Sequence, residues 1–320
     1  MTDKELQNGG VPDSKKEENP FSTESTAVEG IYLPPTFPGA PSWPDKIRDL
    51  RQMMLRDDDI ILLTYPKAGT HWLWEVISML RKGSAEHDAN TKVQLMMEFV
   101  QNHILDDMPS PRTFNTHLPL SMLPVDKIKA RRLKLVHVYR NPKDTCVSMY
   151  HMARSSPQMS SVVPCETFGD FAEHYLFTDK QIFGSYVKYL KQMHAFQEQN
   201  PEVPTFNMSY EDVKKDPVGS VKKLASFLSL SVSDEVCVQI ADECSFDKMK
   251  AKEAEKEKPK LHSKTLDKES LERMEKNKPV IFRKGQIGDW KNYFTVAMSE
   301  RVDCFLEEQL KDLPFTLTFE

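Results

Sequence analysis

Lys67 lies in the connection between an apolar, strand-like run and a run whose apolar residues have helical spacing. Residues 60–64 read Ile-Ile-Leu-Leu-Thr, which predicts a buried strand, and apolar residues recur at helical spacing from Trp72 onward. The connection at 65–72, Tyr-Pro-Lys-Ala-Gly-Thr-His-Trp, contains Lys67 and Gly69 and opens the helix. Unpaired N–H groups, the helix dipole and a lysine charge favour an anion there. The segment therefore predicts a phosphate-binding turn, and an ordinary turn with a surface lysine is the alternative.

The spacing of this turn differs from that of the common nucleotide-binding loop. A Walker A loop requires Gly-x-x-x-x-Gly-Lys followed by Ser or Thr, whose hydroxyl binds magnesium. Here Lys67 precedes Gly69, and nothing matches the first glycine. The sequence therefore disfavours a kinase or an ATPase, an interpretation that dependence on magnesium and ATP would restore.

Two further segments combine cations with turn residues. Arg140 follows the apolar run 133–139, which predicts a second buried strand, and Ser148 lies on the second turn of the helix expected after it. The segment 283–285, Arg-Lys-Gly, adds two more cations. Arginine offers a forked donor that suits phosphate. Because ligands of α/β proteins bind at the carboxyl ends of parallel strands, the three segments together predict a ligand with two separated anionic groups.

The alternation of strand-like and helix-like runs from residue 60 onward predicts an α/β fold. We expect one domain over 31–320, with a central, mainly parallel sheet flanked by helices and a P-loop-like strand-turn-helix for phosphate. Strands are expected at 60–64, 133–139 and 205–208, and helices at about 71–80, 91–101, 143–153, 167–177, 181–199, 217–228 and 233–243.

Three segments depart in composition from this pattern. Residues 1–30 are polar and predict a disordered N-terminal tail. Residues 31–46 carry five prolines among aromatic and aliphatic residues, which predicts an extended strap packed on an apolar surface. Residues 247–280 lack aromatics and hold eleven Lys or Arg against eight Asp or Glu, which predicts a mobile charged loop or a lid over the site.

Overall composition excludes several classes of protein. A net charge of -5 argues against a nucleic-acid binder, which is usually basic. The five cysteines show neither a disulfide framework nor zinc spacing, and an odd count suits a reducing compartment. No signal peptide and no run of about 20 apolar residues is found, so we expect no membrane association and a cytoplasmic location.

His117 lies in the segment Asn-Thr-His-Leu-Pro at 115–119, and by itself it fits a surface or core residue better than a catalytic one. A wider set of motifs changes this interpretation. They are Tyr-Pro-Lys-Ala-Gly-Thr-His-Trp (65–72), Thr-His-Leu-Pro (116–119), Arg-Asn-Pro-Lys-Asp (140–144) with Ser148, Tyr-Glu-Asp (210–212), Ser-Phe (245–246) and Arg-Lys-Gly-x-x-Gly-Asp-Trp-Lys (283–291). In order and spacing, from about residue 28 to the C-terminus, the chain resembles the cytosolic sulfotransferases.

The resemblance implies a donor, 3′-phosphoadenosine 5′-phosphosulfate (PAPS; its product is PAP), whose two phosphate positions match the expected two-anion ligand. The residues that it implies for donor binding are Lys67, Ala68, Gly69, Thr70, His71, Trp72, Arg140, Ser148, Tyr210, Cys244, Ser245, Phe246, Arg283, Lys284 and Gly285. The turn at 65–72 would hold the 5′-phosphosulfate. Arg140, Ser148 and 283–285 would hold the 3′-phosphate. Trp72 and Phe246 would stack on the adenine, and Tyr210 would bond its edge.

The resemblance also implies in-line transfer of the sulfuryl group to a hydroxyl of a small molecule such as a phenol or steroid, without a metal. Neutral His117 would take the acceptor proton, and Lys67 would stabilise the leaving oxygen. The residues expected to contact the acceptor are Asn115, Thr116, His117, Phe37 and Met152.

Three residues depart from the family pattern. Many members have a lysine two residues before the histidine, where this chain has Asn115. Ala68 and His71 replace hydroxyl residues of the donor loop, and His71 could itself approach the 5′-phosphate. The alternative function is therefore a donor-binding protein with reduced or lost turnover.

A final segment matches the family's dimerisation signature, Lys-x-x-x-Thr-Val-x-x-x-Glu. It consists of Lys291, Thr295, Val296 and Glu300. The match predicts a homodimer, and an exposed polar turn is the alternative.

Overall fold

The computed structural model describes residues 26–36, 40–87, 92–155, 167–255 and 281–320. They form the expected α/β domain around a parallel sheet. The strands are β1 Thr26–Val28, β2 Ile31–Leu33, β3 Ile60–Thr64, β4 Thr113–Thr116, β5 Lys134–Tyr139 and β6 Thr205–Ser209. Strands β3 to β6 form one sheet in the order β4-β3-β5-β6 with every pair parallel, while β1 and β2 form a separate antiparallel hairpin.

Helices cover the sheet and carry the chain back between its strands. They are α1 Trp43–Gln52, α2 Thr70–Lys82, α3 Asn102–Asp106, α4 Val125–Arg131, α5 Pro142–Ser155, α6 Phe168–Phe177, α7 Tyr186–Gln199, α8 Tyr210–Lys215, α9 Pro217–Leu228, α10 Asp234–Glu243, α11 Phe246–Glu255 and α12 Val296–Leu310. Short 3-10 turns lie at Lys92–Leu95, Leu120–Met122 and Asp289–Asn292. Within the described ranges, no helix is long and apolar enough to cross a membrane.

The two central strands explain why the sequence predicted this sheet. Every residue of β3 is buried, and so are five of the six residues of β5. A parallel sheet covered on both faces selects such continuous apolar runs. Its carboxyl edge then brings together the turns that follow β3, β4, β5 and β6, which places all four at one end of the sheet.

The structure corrects two helix predictions and adds β4 to the predicted sheet, besides the separate β1–β2 hairpin. The helix expected at 91–101 is wrong: after the 3-10 turn, the N–H of Met97 donates to the carbonyl of Asn115 at 3.0 Å, so the chain is joined to β4 there and does not continue as a helix. The strand that this segment contacts, β4, was not predicted, because its polar sequence Thr-Phe-Asn-Thr gave no strand signal. The helix expected at 181–199 begins only at Tyr186, because Phe183 and Gly184 adopt positive φ values of 67° and 81°.

The proline-rich segment is extended in its described part up to Ser42, as the sequence predicted, but its last residues, 43–46, form the start of helix α1. Leu33 is fully buried, and the indole N–H of Trp43 donates to the carbonyl of Pro34 at 2.6 Å. Strand β1 shows that the last residues of the expected tail are ordered, while 1–25 lie outside the described residues. Of the charged stretch 247–280, residues 247–255 belong to helix α11, and the remainder also lies outside the described residues.

Candidate active site

A cleft of about 460 Å³ opens at the carboxyl edge of the sheet. It brings together sixteen of the residues expected from the sequence, which come from five separate segments and from His117. They are Lys67, Gly69, Thr70, His71 and Trp72 after β3; Arg140, Ser148 and Met152 after β5; Tyr210 after β6; Cys244, Ser245 and Phe246 before or in α11; and Arg283, Lys284 and Gly285 near the C-terminus.

Four expected residues do not line the cleft in the described structure. Phe37 lies outside the described residues. Ala68 is fully buried, and its N–H donates to the carbonyl of Tyr65 at 3.2 Å, so this amide is already paired. Asn115 and Thr116 are also fully buried; the Asn115 side chain donates to the carbonyl of Lys92 at 2.8 Å. These three residues are buried beneath the residues that line the cleft and do not line it themselves.

The turn between β3 and α2 is built for close packing. Lys67 has a φ of 70° and Gly69 a φ of 124°, a region that side chains rarely adopt. A β-carbon on Gly69 would lie 3.2 Å from the ring of Tyr210. Glycine therefore lets the start of α2 lie directly against the residue that follows β6.

The Lys67 ammonium is poorly compensated in this cleft. Its one hydrogen bond to a described residue is a long one, 3.4 Å to the carbonyl of Ile281. Burial, together with the charges of Lys92, Arg140 and Arg283, lowers the pKa of Lys67 to about 7. Each of these groups favours an anion, whose arrival would restore the lysine charge.

Arg140 joins two of the turns that line the cleft. Its guanidinium donates to the carbonyl of Lys67 at 3.3 Å and to that of Gln286 at 3.1 Å. It also lies over the ring of Tyr210, 4.1 Å from the centroid. Its Nε is buried without a hydrogen-bond partner among the described residues, which leaves a donor for a ligand.

The segment after residue 281 is held by two carboxylates, Asp289 and Asp144, which belong to the quoted motifs but had no role assigned from the sequence. Arg283 and Lys284 both form ion pairs with Asp289. Burial would raise the pKa of Asp289, but hydrogen bonds from Lys284, Arg283 and Asn292 lower it to about 2. Asp144 then accepts hydrogen bonds from the N–H groups of Gly288 at 2.8 Å and Trp290 at 2.9 Å. The two cations are thus oriented by Asp289, and the whole segment is tied to the turn after β5 by Asp144.

Gly285 passes so close to Phe246 that no side chain fits between them. A β-carbon there would lie 2.1 Å from Cδ2 of the phenylalanine ring, and the φ of 64° also favours glycine. The ring of Phe246 in turn contacts Phe282 edge-on, with centroids 6.0 Å apart. The backbone of the last segment therefore fixes the ring that was expected to stack on a base.

His117 is held in one tautomer. Its Nδ1 lies 2.7 Å from the carbonyl oxygen of Thr64, which can only accept, so Nδ1 carries the proton. The backbone N–H of His117 donates to Glu98 at 2.9 Å. Burial lowers the pKa of His117 well below 6.5, and the charges of Lys92 and Lys67 lower it further. The ring is therefore neutral, with the lone pair of Nε2 left for the cleft.

Lys92 lines the same cleft and was missed by the sequence analysis. It is 8% exposed, and burial lowers its pKa to about 8 despite the opposing charge of Glu98. The expected helix at 91–101 gave no reason to distinguish this lysine from a solvent-facing one.

One end of the cleft is apolar. The side chains there come from the strap, from the segment beside β4, from α5 and from the turn before α7. They are Pro34, Met96, Phe99, Met152, Ile182 and Phe183. Such a wall beside a few polar groups is typical of a site for a small organic molecule.

The four residues of the expected dimer signature lie outside the cleft lining. Thr295 caps α12 by accepting from the N–H of Met298 at 3.2 Å, and Lys291 pairs with Glu320 at 2.7 Å. Val296 at the start of the helix is 75% exposed, and Glu300 is exposed as well.

The comparisons with known proteins all identify the same family. Residues 57–314 match the family model described as the sulfotransferase domain. The chain is 31% identical to sulfotransferase 1C2 of Rattus norvegicus, over 91% of this chain and 94% of that protein. It is 29% identical to the amine sulfotransferase of Oryctolagus cuniculus, over 86% and 88%. A solved structure, mouse sulfotransferase SULT7A1 complexed with PAP, matches with a TM-score of 0.71 and 30% identity over 91% of this chain and 95% of that chain.

Proposed function

Because the chain belongs to the sulfotransferase family, we propose that it transfers the sulfuryl group of PAPS to a hydroxyl group of a small molecule. The observation that carries this proposal is the pairing of two groups in one cleft. A neutral histidine, His117, presents an unprotonated Nε2, and Lys67 presents an ammonium that the protein itself compensates poorly. A proton acceptor and a cation are what sulfuryl transfer requires.

The cleft fits a donor with two phosphate positions. The start of α2, with Gly69 and Lys67, offers amides and a charge for one of them. Arg140, whose buried Nε has no described partner, and Ser148 offer a second anion site with the 283–285 segment. Trp72 and Phe246 also line the cleft and present aromatic surface for a base. We assign the 5′-phosphosulfate to the first set, the 3′-phosphate to the second and the adenine to the rings.

PAPS, when bound, supplies the sulfuryl group, whose bond to the phosphate oxygen breaks as the acceptor oxygen bonds to sulfur. His117 accepts the acceptor proton at Nε2, and its hydrogen bond to Thr64 keeps that nitrogen turned to the cleft. Lys67 donates to the departing phosphate oxygen, where negative charge accumulates. The depressed pKa of His117 keeps the base unprotonated at neutral pH.

The acceptor is a small, largely apolar molecule such as a phenol or a steroid. The apolar end of the cleft, with Met96, Phe99 and Phe183 among its walls, supports this class. Relatives with different names match at nearly the same identity, 29% and 31%, so similarity does not choose between acceptors. The amine sulfotransferase among them makes an amine a useful member of any panel.

A transfer assay with sulfur-labelled PAPS and a panel of phenols, sterols and amines tests the proposed function. We expect labelled product without added magnesium, and its loss in Lys67→Met and His117→Ala. Donor binding without transfer to any acceptor would favour a binding protein that has lost turnover. Activity that required magnesium and ATP would favour a kinase.

A homodimer through Lys291, Thr295, Val296 and Glu300 is part of the proposal. It is supported by the exposed apolar side chain of Val296 at the start of α12, flanked by exposed charged residues. Light scattering at micromolar concentration tests it, and a monomer would contradict it.

A cytoplasmic location is also part of the proposal. It is supported by Cys146, Cys237, Cys244 and Cys304, which are free thiols in the part of the chain that the structure describes. Fractionation of cells that express the protein tests it, and recovery in a membrane fraction would contradict it.

A further inference from the structure

Lys92 provides a second ammonium that lines the cleft of the reacting groups without a hydrogen bond or ion pair to a described residue. It lines the cleft that contains Lys67 and His117, yet only 8% of its surface is exposed. Its ammonium forms no hydrogen bond or ion pair with any residue that the structure describes. A charge removed from water without a partner is costly, so the position favours an anionic ligand.

Two other buried lysines show how this protein compensates such a charge when its role is structural. Lys46 donates to the carbonyl of Val100 and to the side chain of Asn102. Lys143 donates to Ser299 at 2.7 Å and to Asp303 at 2.7 Å. Lys92 has no equivalent partners. Glu98 attracts it electrostatically but forms no ion pair with it, and Glu98 is itself engaged by the N–H of His117.

The backbone of Lys92 is fixed relative to the catalytic histidine. The side chain of Asn115 donates to the Lys92 carbonyl at 2.8 Å, and Asn115 stands two residues before His117 on the same chain segment. The N–H of Met97 returns to the Asn115 carbonyl at 3.0 Å. Asn115 therefore does not face the cleft itself but holds the turn that carries Lys92 into it.

The Lys92 charge acts on both reacting groups, which line the same cleft. Burial is the main reason that the pKa values of Lys67 and His117 are low, and in both cases Lys92 is the charge that lowers them most. The acceptor hydroxyl must lie at His117, and the leaving oxygen must lie at Lys67. The sulfuryl group, which passes from the leaving oxygen to the acceptor hydroxyl, must lie between those two positions.

We propose that Lys92 binds the non-bridging oxygens of the sulfuryl group of PAPS, between Lys67 and His117. This inference rests on the proposed function, because it assumes that the cleft binds PAPS. An anionic group at the far end of an acceptor is a poorer match, since the acceptor hydroxyl at His117 directs the rest of that molecule toward the apolar walls. Many members of the family have a lysine at the position of Asn115, whose side chain is neutral in this protein. Lys92 would thus provide the positive charge that Asn115 does not.

The difference between PAPS and PAP isolates this contact, because PAP has both phosphates and no sulfuryl group. We expect Lys92→Met to weaken PAPS binding about tenfold in calorimetry, the size of a lost hydrogen bond to a charged group. PAP binding should change less than about twofold, which also shows that the variant is folded. Lys92→Arg should keep most of the PAPS affinity.

Several outcomes would overturn the inference. One is an equal loss of PAPS and PAP affinity, in Lys92→Met and in the smaller polar variant Lys92→Gln. Another is unchanged affinity for both ligands. A third is a KM that rises only for acceptors with a carboxylate, which would assign Lys92 to the acceptor. Wild-type protein that bound neither PAPS nor PAP would instead refute the proposed function.

Discussion

The depressed pKa of Lys67 makes donor binding depend on pH near neutrality. Burial and the charges of Lys92, Arg140 and Arg283 lower this pKa to about 7. In the ligand-free protein the lysine therefore loses its proton as the pH rises through 7, whereas an anionic phosphate binds the charged form. We expect the affinity for PAP to be greatest below pH 7 and to fall above it, with uptake of a proton on binding.

The size of the effect follows from one linked proton. With a pKa of about 7, the dissociation constant should rise about fivefold between pH 7 and pH 8 and about tenfold between pH 8 and pH 9. The phosphates of PAP have a second pKa of about 6, so their charge changes little in this range. His117 stays neutral above pH 7 because its pKa lies well below 6.5.

Calorimetry with PAP at pH 6, 7, 8 and 9, repeated in buffers with different ionisation enthalpies, measures both the affinity and the proton uptake. Lys67→Met is the matched variant. It should bind PAP more weakly at pH 6 and lose the change between pH 7 and pH 8. Wild-type affinity that stayed constant from pH 6 to pH 8 without proton uptake would refute this account of the Lys67 environment.

Three further variants test other parts of the site. His117→Ala should lower kcat about 100- to 10,000-fold, by loss of the proton acceptor, and leave PAP affinity in calorimetry unchanged; unchanged kcat would contradict its role. Gly285→Ala should weaken PAP binding about tenfold by displacing Phe246, whereas Gly83→Ala, with a φ of 68° and open space around it, should not; equal effects would point to backbone strain alone. Val296→Glu should convert a dimer to a monomer in light scattering, and an intact dimer would place the interface elsewhere.

The sequence predicted the sheet where local pattern and burial agree. Strands β3 and β5 are apolar runs because both faces of a central parallel strand are covered. Strand β4 was not recognisable, because its residues are polar and it is defined by pairing with β3 and with the segment around Met97. The wrong helix at 91–101 has the same cause, since long-range pairing replaced the local hydrogen bonds of a helix.

The site could be located from the sequence but not assembled from it. Lys67, Arg140 and Arg283 stand in turns whose composition indicates anion binding. The contacts that orient them join distant parts of the chain: Asp144 and Gly288, for example, are 144 positions apart. The turn that carries Lys92 into the cleft is held by a side chain of β4, that of Asn115. Sequence spacing carries no signal for such contacts.

A crystal structure of the protein with PAP tests the central claim most directly. We expect the 5′-phosphate at the start of α2 beside Lys67, the 3′-phosphate beside Arg140 and Ser148, and the adenine against Trp72 and Phe246. We also expect Nε2 of His117 facing the open position next to the 5′-phosphate. PAP bound outside this cleft, or bound with its phosphates exchanged between the two sites, would contradict it.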